Sequence, residues 1–359
     1  MTTPPPLAGR AGWHGTDLDQ SGAWIRTLTD THRAELDAAL DQVKRAQRPL
    51  FGFSRDDFPL PTTAALLAEI SDELENGLGA IRLRGLPVER YADDDIRRIF
   101  WGLGLHLGTA VYQNGRGEIM GEVRDETRRT DKSYIEAAPG AVVSSRARAR
   151  STGPLRWHTD RCDVIALLCA RNAKAGGISK LTSIVTIYNE IRRRRPDLLA
   201  LLCQDYWRAR PADEDGVAAT RAFPLPVFGV HDGKLTCQYS RTYVEQAQEF
   251  PEVPRLTAAQ NEALDLMAEV AEEVCLHAPF VPGDIQLLNN HVIFHGRTAY
   301  EDDSVSHQER LLFRLWLSVP NSRRLPAGFE TFWGSGEPGA LRGGVAQPAT
   351  GARIPLKAA

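Results

Sequence analysis

Several absences bound the reading of this 359-residue chain. No run of about 18 or more uninterrupted apolar residues occurs, so nothing in it spans a bilayer as a helix. Cysteine is scarce: Cys162, Cys169, Cys203, Cys237 and Cys275 are five in number, odd, and without a C-x-x-C pair. That pattern argues against a disulfide framework and against a thiolate metal site, and predicts reduced, mostly buried thiols. Neither sign of charge dominates, with 43 Lys and Arg against 46 Asp and Glu and a net charge of -3. No global basic field is available to gather nucleic acid or an anionic membrane, and a small molecule is the expected partner. Oligomeric state leaves no mark on the sequence. Met1 to Gly15 carries three prolines and no apolar core of the length a secretory signal needs, which makes the cytoplasm the expected location. There is no internal repeat and no H-E-x-x-H pattern.

What is present suits a sizeable core, since 42% of residues are hydrophobic and 25% charged. Thr29 through Arg45 reads as a threonine-capped amphipathic helix with Leu36, Leu40 and Val43 at helical spacing, and Ala64 to Leu74 as a second. Ala80 to Arg84 alternates like a half-buried strand and stops at Gly85-Leu86-Pro87, before a further helix from Asp93 to Leu105. Gln113 to Pro154 is polar, glycine-bearing and aperiodic, which predicts a long lid loop with short strand pieces.

Cys162 to Ala170 is a nearly continuous apolar run, suited to a strand buried on both faces, and Ser179 to Val185 follows Gly176-Gly177 as another extended stretch. Asp232-Gly233 between two alternating runs predicts a hairpin, because both central positions tolerate positive φ. Thr257 and Gln260 form a capping box for a helix with the stripe Leu264, Met267, Val270, Ala271 and Val274, which ends before Pro279. Asp284 to Leu288, Val292 to His295 and Arg310 to Val319 return to strand. The tail from Gly334 to Ala359, rich in Gly, Ala and Pro, is expected to be flexible or draped on the surface.

Chemistry concentrates in two places. In Trp157-His158-Thr159-Asp160 the imidazole and the carboxylate stand at i and i+2, so on an extended backbone they share a face and reach one ion. An H-x-D triplet is by itself a weak signal. A third ligand must come from His291 or His295, which cannot both serve, being about 13 Å apart along a strand. His295 follows Val292-Ile293-Phe294 and precedes Gly296, so it is a buried polar group needing a partner. A core histidine satisfied by a carbonyl fits His291 better. Two neutral imidazoles and one carboxylate leave positions of a metal open, the ligand set of non-haem Fe(II) sites and not of closed structural zinc. From Arg310 to Ser318 the even positions other than Leu312 carry Arg310, Arg314, Trp316 and Ser318 while the odd ones are apolar. Two guanidinium groups therefore face inward, where a cation needs an anion. The bland alternative pairs Arg310 with Asp302, Asp303 or Glu309 on an exposed edge.

The segments Trp157 to Asp160, Gly176 to Thr182 and Pro282 through Leu317 resemble the taurine dioxygenase and clavaminate synthase-like group of Fe(II)/2-oxoglutarate oxygenases. The likeness covers roughly residues 80 to 320, including the Pro282-Gly283-Asp284, Asn289-Asn290 and His295-Gly296-Arg297 run. It implies an α+β fold: a double-stranded β-helix, or jelly-roll, core with flanking helices, in one oxygenase domain over residues 1 to 330 with the lid at about 113 to 154. It implies Fe(II) held by His158, Asp160 and His295, and 2-oxoglutarate and O2 as co-substrates. Arg310 matches the arginine that holds the distal carboxylate of 2-oxoglutarate; Ser179 stands where the family usually has a threonine on the same carboxylate. Arg314 matches a position that in relatives meets the acidic group of the primary substrate. The implied reaction, releasing succinate and CO2, is most simply a hydroxylation, with desaturation or cyclisation as alternatives. Asp160 leaves no vacated position for a halide.

Arg314, Arg241 in the Tyr239 to Tyr243 run, Arg297 and the lid point to an anionic or zwitterionic metabolite, first an amino acid or derivative and second a sulfonate or other organic acid, with Trp157 as a candidate wall. For Arg241 and Arg297 a plain ion pair is the competing reading. A non-catalytic metal- or ligand-binding sandwich would be expected to have lost an iron ligand or the oxoacid arginine, and neither is missing. A zinc hydrolase would want a base carboxylate beside its triad.

Overall fold

The protein is described from a computed structural model covering residues 5–127, 148–210, 221–305, 309–347 and 350–354. Twenty residues of the expected lid, 128–147, lie outside the described residues. The fold mixes helices with two principal sheets. The larger has seven strands: Ile25–Thr27, Ala80–Arg84, Ile285–Asn289, Val164–Arg171, Leu311–Ser318 and Thr109–Ala110 in spatial order, with Met120–Val123 also on Leu311–Ser318. The smaller has four, ordered Leu276–Ala278, Ser179–Ser183, Ile293–Arg297, Leu155–His158. Only the Ile25–Thr27 edge pairs in parallel; the remaining ladders are antiparallel.

Alternation along Leu311–Ser318 divides the core. Leu311, Phe313, Leu315 and Leu317 pack into a cluster with the helices Asp30–Arg45, Thr63–Asn76 and Asp93–Leu107, whereas Leu312 and Trp316 belong to a second cluster. That second cluster also takes Leu181, Ile293 and Phe294 from the smaller sheet, and Leu264, Met267, Val270 and Ala271 from the helix Ala258–Glu273. The capping box on Thr257 and Gln260 is formed, and the hairpin turns through Asp232 (φ 49°) and Gly233 (φ 73°). All five cysteines are free, and Cys162, Cys169 and Cys237 are buried.

Three expectations need correction. The extended stretch from Ser179 stops at Ser183, whose hydroxyl accepts from Thr186 N and caps the helix Ile184–Arg194; a serine before an apolar run starts a helix as readily as it continues a strand. Arg82 is not on a solvent face but fully buried, donating to Asp284 Oδ2 at 2.8 Å and to Gln286 Oε1 at 2.8 Å. The stretch after Gly334 is in part anchored: Arg342 donates from Nε to Asp163 Oδ1 at 2.8 Å, and Val345 is fully buried. Low apolar content hid that anchor, because it is made by one arginine and by backbone bonds. Among the described residues no helix is long and apolar enough to cross a membrane.

Candidate active site

The strands Leu155–His158 and Ile293–Arg297 run antiparallel with His295 directly opposite His158. The register shifts after His295, at Gly296, where a Cβ would stand 2.9 Å from the Leu155 carbonyl oxygen; only glycine permits that approach. The chain then leaves the strand through Thr159, which exchanges hydrogen bonds with the backbone of Tyr239 at 2.9 and 3.0 Å. Asp160 follows, its backbone N–H fixed by Asn290 Oδ1 at 3.0 Å. His158 Nε2 lies 3.8 Å from Asp160 Oδ1 and His295 Nε2 3.8 Å from Asp160 Oδ2. The ligand atoms of the three residues all lie within 4.8 Å of one another.

These groups are prepared to ligate. Nδ1 of His158 is 2.9 Å from the Arg156 carbonyl oxygen, so it carries the proton and leaves the Nε2 lone pair free. Burial, reinforced by His158, pulls the His295 imidazole down to about 3, keeping it neutral. Burial would raise the Asp160 carboxyl, but Arg314, the two histidines and the Trp316 Nε1–H together hold it below the usual carboxylate range. That indole donates to Asp160 Oδ2 at 2.9 Å. Two imidazole nitrogens and one anionic oxygen, with His158 and Asp160 each oriented by a further group, fit a divalent iron with open positions.

On one side of this triad a cavity between the two sheets is lined by Ser179, Arg297, Arg310 and Arg314 together with His158 and His295. Arg310 is 4% exposed, yet among the described residues it has no carboxylate within 4.0 Å; its guanidinium makes only a 3.4 Å bond to the Val123 carbonyl. The exposed-edge pairing is thus absent: Asp302 accepts from the Arg310 backbone N–H. Gly177 (φ 67°) passes beneath, and a Cβ there would come within 3.1 Å of Arg310 Nε.

Ser179 is held by a chain that sequence reasoning missed. Arg82 fixes Gln286 Oε1, and Gln286 Nε2 donates to Ser179 Oγ at 3.1 Å. With its oxygen engaged as acceptor, Ser179 has its own proton available toward the cavity. The signal is an arginine and a glutamine flanked by apolar residues inside two strands, Ala80–Arg84 and Ile285–Asn289. Arg297 instead serves structure, donating to the carbonyls of Ser151 and Gly153 at 2.7 and 2.6 Å.

On the other side, a second cavity reaches from His158, Asp160, Arg314 and Trp316 to Arg208, Phe223, Gln238, Ser240, Tyr243, Phe332 and Val345. Arg314 borders both cavities, with Nε on Gln113 Oε1 at 2.7 Å and NH1 3.8 Å from Asp160 Oδ2. Two candidates do not arrive. Trp157 turns away from the metal side, its indole donating to Glu272 at 3.1 Å under Lys180, as alternation requires once His158 faces inward. Arg241 pairs with Glu245 and Asp265, each at 3.0 Å, beside Trp157 on a separate surface. His291 is a fully buried core histidine as expected, but its partner is a carboxylate and not a carbonyl: Nε2 lies 2.9 Å from Asp163 Oδ1.

Comparison with known proteins agrees with this geometry. The family model "Taurine catabolism dioxygenase TauD, TfdA family" matches residues 42–316. FR-33289 synthase of Streptomyces rubellomurinus is 32% identical over 345 residues, covering 92% of this chain and 95% of that protein. The taurine hydroxylase-like protein SAT17 of Stachybotrys chartarum is 29% identical over 335 residues, covering 90% and 83%. Among solved structures, asparagine oxygenase in complex with Fe(II), 2S,3S-3-hydroxyasparagine and succinate superposes with a TM-score of 0.59 at 14% identity over 82% of this chain and 93% of that one. The non-haem iron oxygenase OrfP in complex with Fe and alpha-ketoglutaric acid does so with a TM-score of 0.59 at 14% identity, over 88% and 99%. Since the family match runs from the second helix past Arg310 and into the strand that carries Arg314, this chain belongs to the TauD/TfdA family and is an Fe(II)/2-oxoglutarate-dependent dioxygenase.

Proposed function

We propose that the enzyme hydroxylates a small anionic or zwitterionic metabolite, an amino acid or a derivative of one, with release of succinate and CO2. The two sheets are read as the halves of a jelly-roll, in one oxygenase domain over residues 1 to 330. The observation that carries the site assignment is Arg310: a buried guanidinium without a carboxylate partner among the described residues, facing the same cavity as His158 and His295. A buried cation left uncompensated is costly, and an organic dianion reaching from the metal to Arg310 removes that cost.

Bound Fe(II) and 2-oxoglutarate supply the activation of O2; the residues of this chain supply position and dryness. His158, Asp160 and His295 hold the metal from one side. Arg310 and the Ser179 hydroxyl receive the distal carboxylate of 2-oxoglutarate, with Gln286 keeping that hydroxyl turned inward. Trp316 and Arg314 keep Asp160 ionised and fix which of its oxygens is free to ligate.

The second cavity then receives the primary substrate, with Arg314 at the boundary. Its charge favours an anion. Arg208 is fully enclosed and donates to the carbonyls of Tyr206, Leu225, Pro226 and Gln238; burial lowers it to about 10, and no carboxylate lies within 4.0 Å of it among the described residues. An amino-acid class is supported further by the hydroxyasparagine and hydroxyarginine bound to the structural neighbours. The test is to load the protein anaerobically with Fe(II) and 2-oxoglutarate, admit O2 with each of a panel of amino acids and organic acids, and score succinate with a product one oxygen heavier. Succinate that never rises with any compound, or rises without oxygen transfer, overturns the reading.

A further inference from the structure

We infer that Gln238 is a specificity-determining residue whose side-chain amide receives an N–H or O–H donor carried by the primary substrate; this rests on the oxygenase reading above. Gln238 directly follows the hairpin strand Lys234–Cys237, and Gln238 and Ser240 line one cavity while Tyr239 lines a different one. Tyr239 packs inward, stacked on Phe294 at 5.6 Å. Gln238 and Ser240 both line the cavity that holds His158, Asp160 and Arg314. Ser240 forms a backbone bridge with His158, which ties this face to the metal ligands.

Gln238 is only 4% exposed, yet its Oε1 has no protein donor within hydrogen-bond distance among the described residues. Its backbone is fully engaged: the N–H donates to the Val227 carbonyl at 3.2 Å and the carbonyl accepts from Arg208 NH2 at 2.8 Å. The side chain is thus positioned from both ends of its own peptide while its amide oxygen is left for something else. A buried acceptor without a partner costs free energy that a ligand donor recovers. The neighbouring walls Phe223, Phe332 and Trp316 are aromatic, while Ser240 and Tyr243 bring hydroxyls to the same cavity. The substrate class is therefore an acid that also bears a secondary or primary amide, amine or hydroxyl within reach of this wall.

Matched pairs test this: L-asparagine against its N4,N4-dimethyl derivative, and N-acetyl-β-alanine against its N-methyl derivative. The first pair differs in two amide N–H donors and the second in one. Wild-type enzyme is expected to show coupled succinate release with kcat/KM at least about 10-fold higher for the N–H member of a pair. Gln238→Leu should bring that ratio close to one with the thermal unfolding midpoint and Fe(II)-dependent 2-oxoglutarate binding of wild type; Gln238→Glu, which keeps an acceptor of the same reach, should preserve the preference. Where Gln238→Leu fails to fold, Gln238→Met is the folded control and should give the same levelled ratio. A ratio unchanged in these variants, a wild-type ratio near one, or no coupling by any N–H-bearing compound overturns the inference. Absence of basal succinate together with absence of Fe(II)-dependent 2-oxoglutarate binding in wild type overturns instead the oxygenase reading on which it rests.

Discussion

His158 and His295 face each other across an antiparallel ladder with ring centroids 4.2 Å apart, although 137 residues separate them in sequence (295 − 158). A cross-strand pair of this kind positions both imidazoles through backbone hydrogen bonds instead of through side-chain freedom. Replacing either with alanine removes a ligand without loosening the ladder. His158→Ala and His295→Ala are each expected to lower Fe(II) affinity by more than the ~10- to 100-fold typical of an outer-shell change, with thermal stability of the metal-free protein unchanged or higher. Anaerobic calorimetric titration with Fe(II) measures the first and thermal unfolding the second; wild-type affinity in either variant removes that residue from the ligand set.

Trp316 offers a milder probe. Its Nε1–H donates to Asp160 Oδ2, so Trp316→Phe deletes the donor and keeps most of the apolar volume. Metal affinity or turnover is expected to fall by about 10- to 100-fold. A conservative Trp316→Phe change with no effect on either quantity would show that Arg314 alone orients the carboxylate.

The triad was legible in the sequence because its geometry is local: His158 and Asp160 are two residues apart near a strand end, and Gly296 marks the close approach beside His295. The alternation from Arg310 to Ser318 likewise revealed two faces. What it does not reveal is what covers each face, helices on one and the opposing sheet on the other, because periodicity separates faces without saying what lies against them. For the same reason the half-buried alternation of Ala80 to Arg84 does not show that Arg82 is enclosed and buttresses Ser179 through Gln286. Trp157 was misjudged for a simpler cause: with His158 turned inward, the preceding residue of a strand faces outward. Gln238 and Arg208 gave no signal at all, since a lone polar residue beside a hairpin reads as surface until the tertiary structure encloses it.

Arg310 sets function against stability. Arg310→Leu removes a buried charge, so the metal-free protein is expected to be as stable as wild type or more stable by about 1 kcal/mol or more. Binding of 2-oxoglutarate should weaken by about 2–5 kcal/mol, at least ~30-fold, because the distal carboxylate loses its charged partner. A urea melt and an anaerobic 2-oxoglutarate titration read the two effects separately. A large stability loss with unchanged 2-oxoglutarate affinity would assign Arg310 a structural role. Gln286→Leu should weaken 2-oxoglutarate binding less, by releasing the Ser179 hydroxyl.

Acid should destabilise the metal-free protein. Burial holds the imidazoles of His291 and His295 below their usual value, His295 to about 3, so both remain neutral in the fold while the unfolded chain protonates them near pH 6.5. The unfolded state therefore binds more protons as pH falls through 6.5, and stability is lost from there toward about pH 3. Asp160 and Asp163, held below their ordinary range, extend the loss to lower pH with the same sign. Urea midpoints are expected to be lower at pH 5 than at pH 7.5, and equal midpoints would contradict neutral burial of these rings.

The stretch after Gly334 supplies a last test. Arg342 is fully buried against Asp163, which also engages His291 at 2.9 Å and the Val319 N–H at 3.2 Å. Beyond it Gly344 N–H donates to the Arg161 carbonyl at 2.7 Å and Val345 N–H to that of Tyr112 at 2.8 Å, which carries Val345 into the wall of the second cavity opened by Phe332 and Trp316. Removing one member of a buried ion pair leaves the other charge uncompensated, so Arg342→Met is expected to cost about 3–5 kcal/mol. Because the docked stretch lines the substrate cavity and not the one holding Arg310, the KM of the primary substrate should rise while that of 2-oxoglutarate stays within about twofold. Equal increases in both constants would mean that the anchor supports the whole site, and an unaffected substrate KM with the full stability loss would remove this segment from the cavity wall.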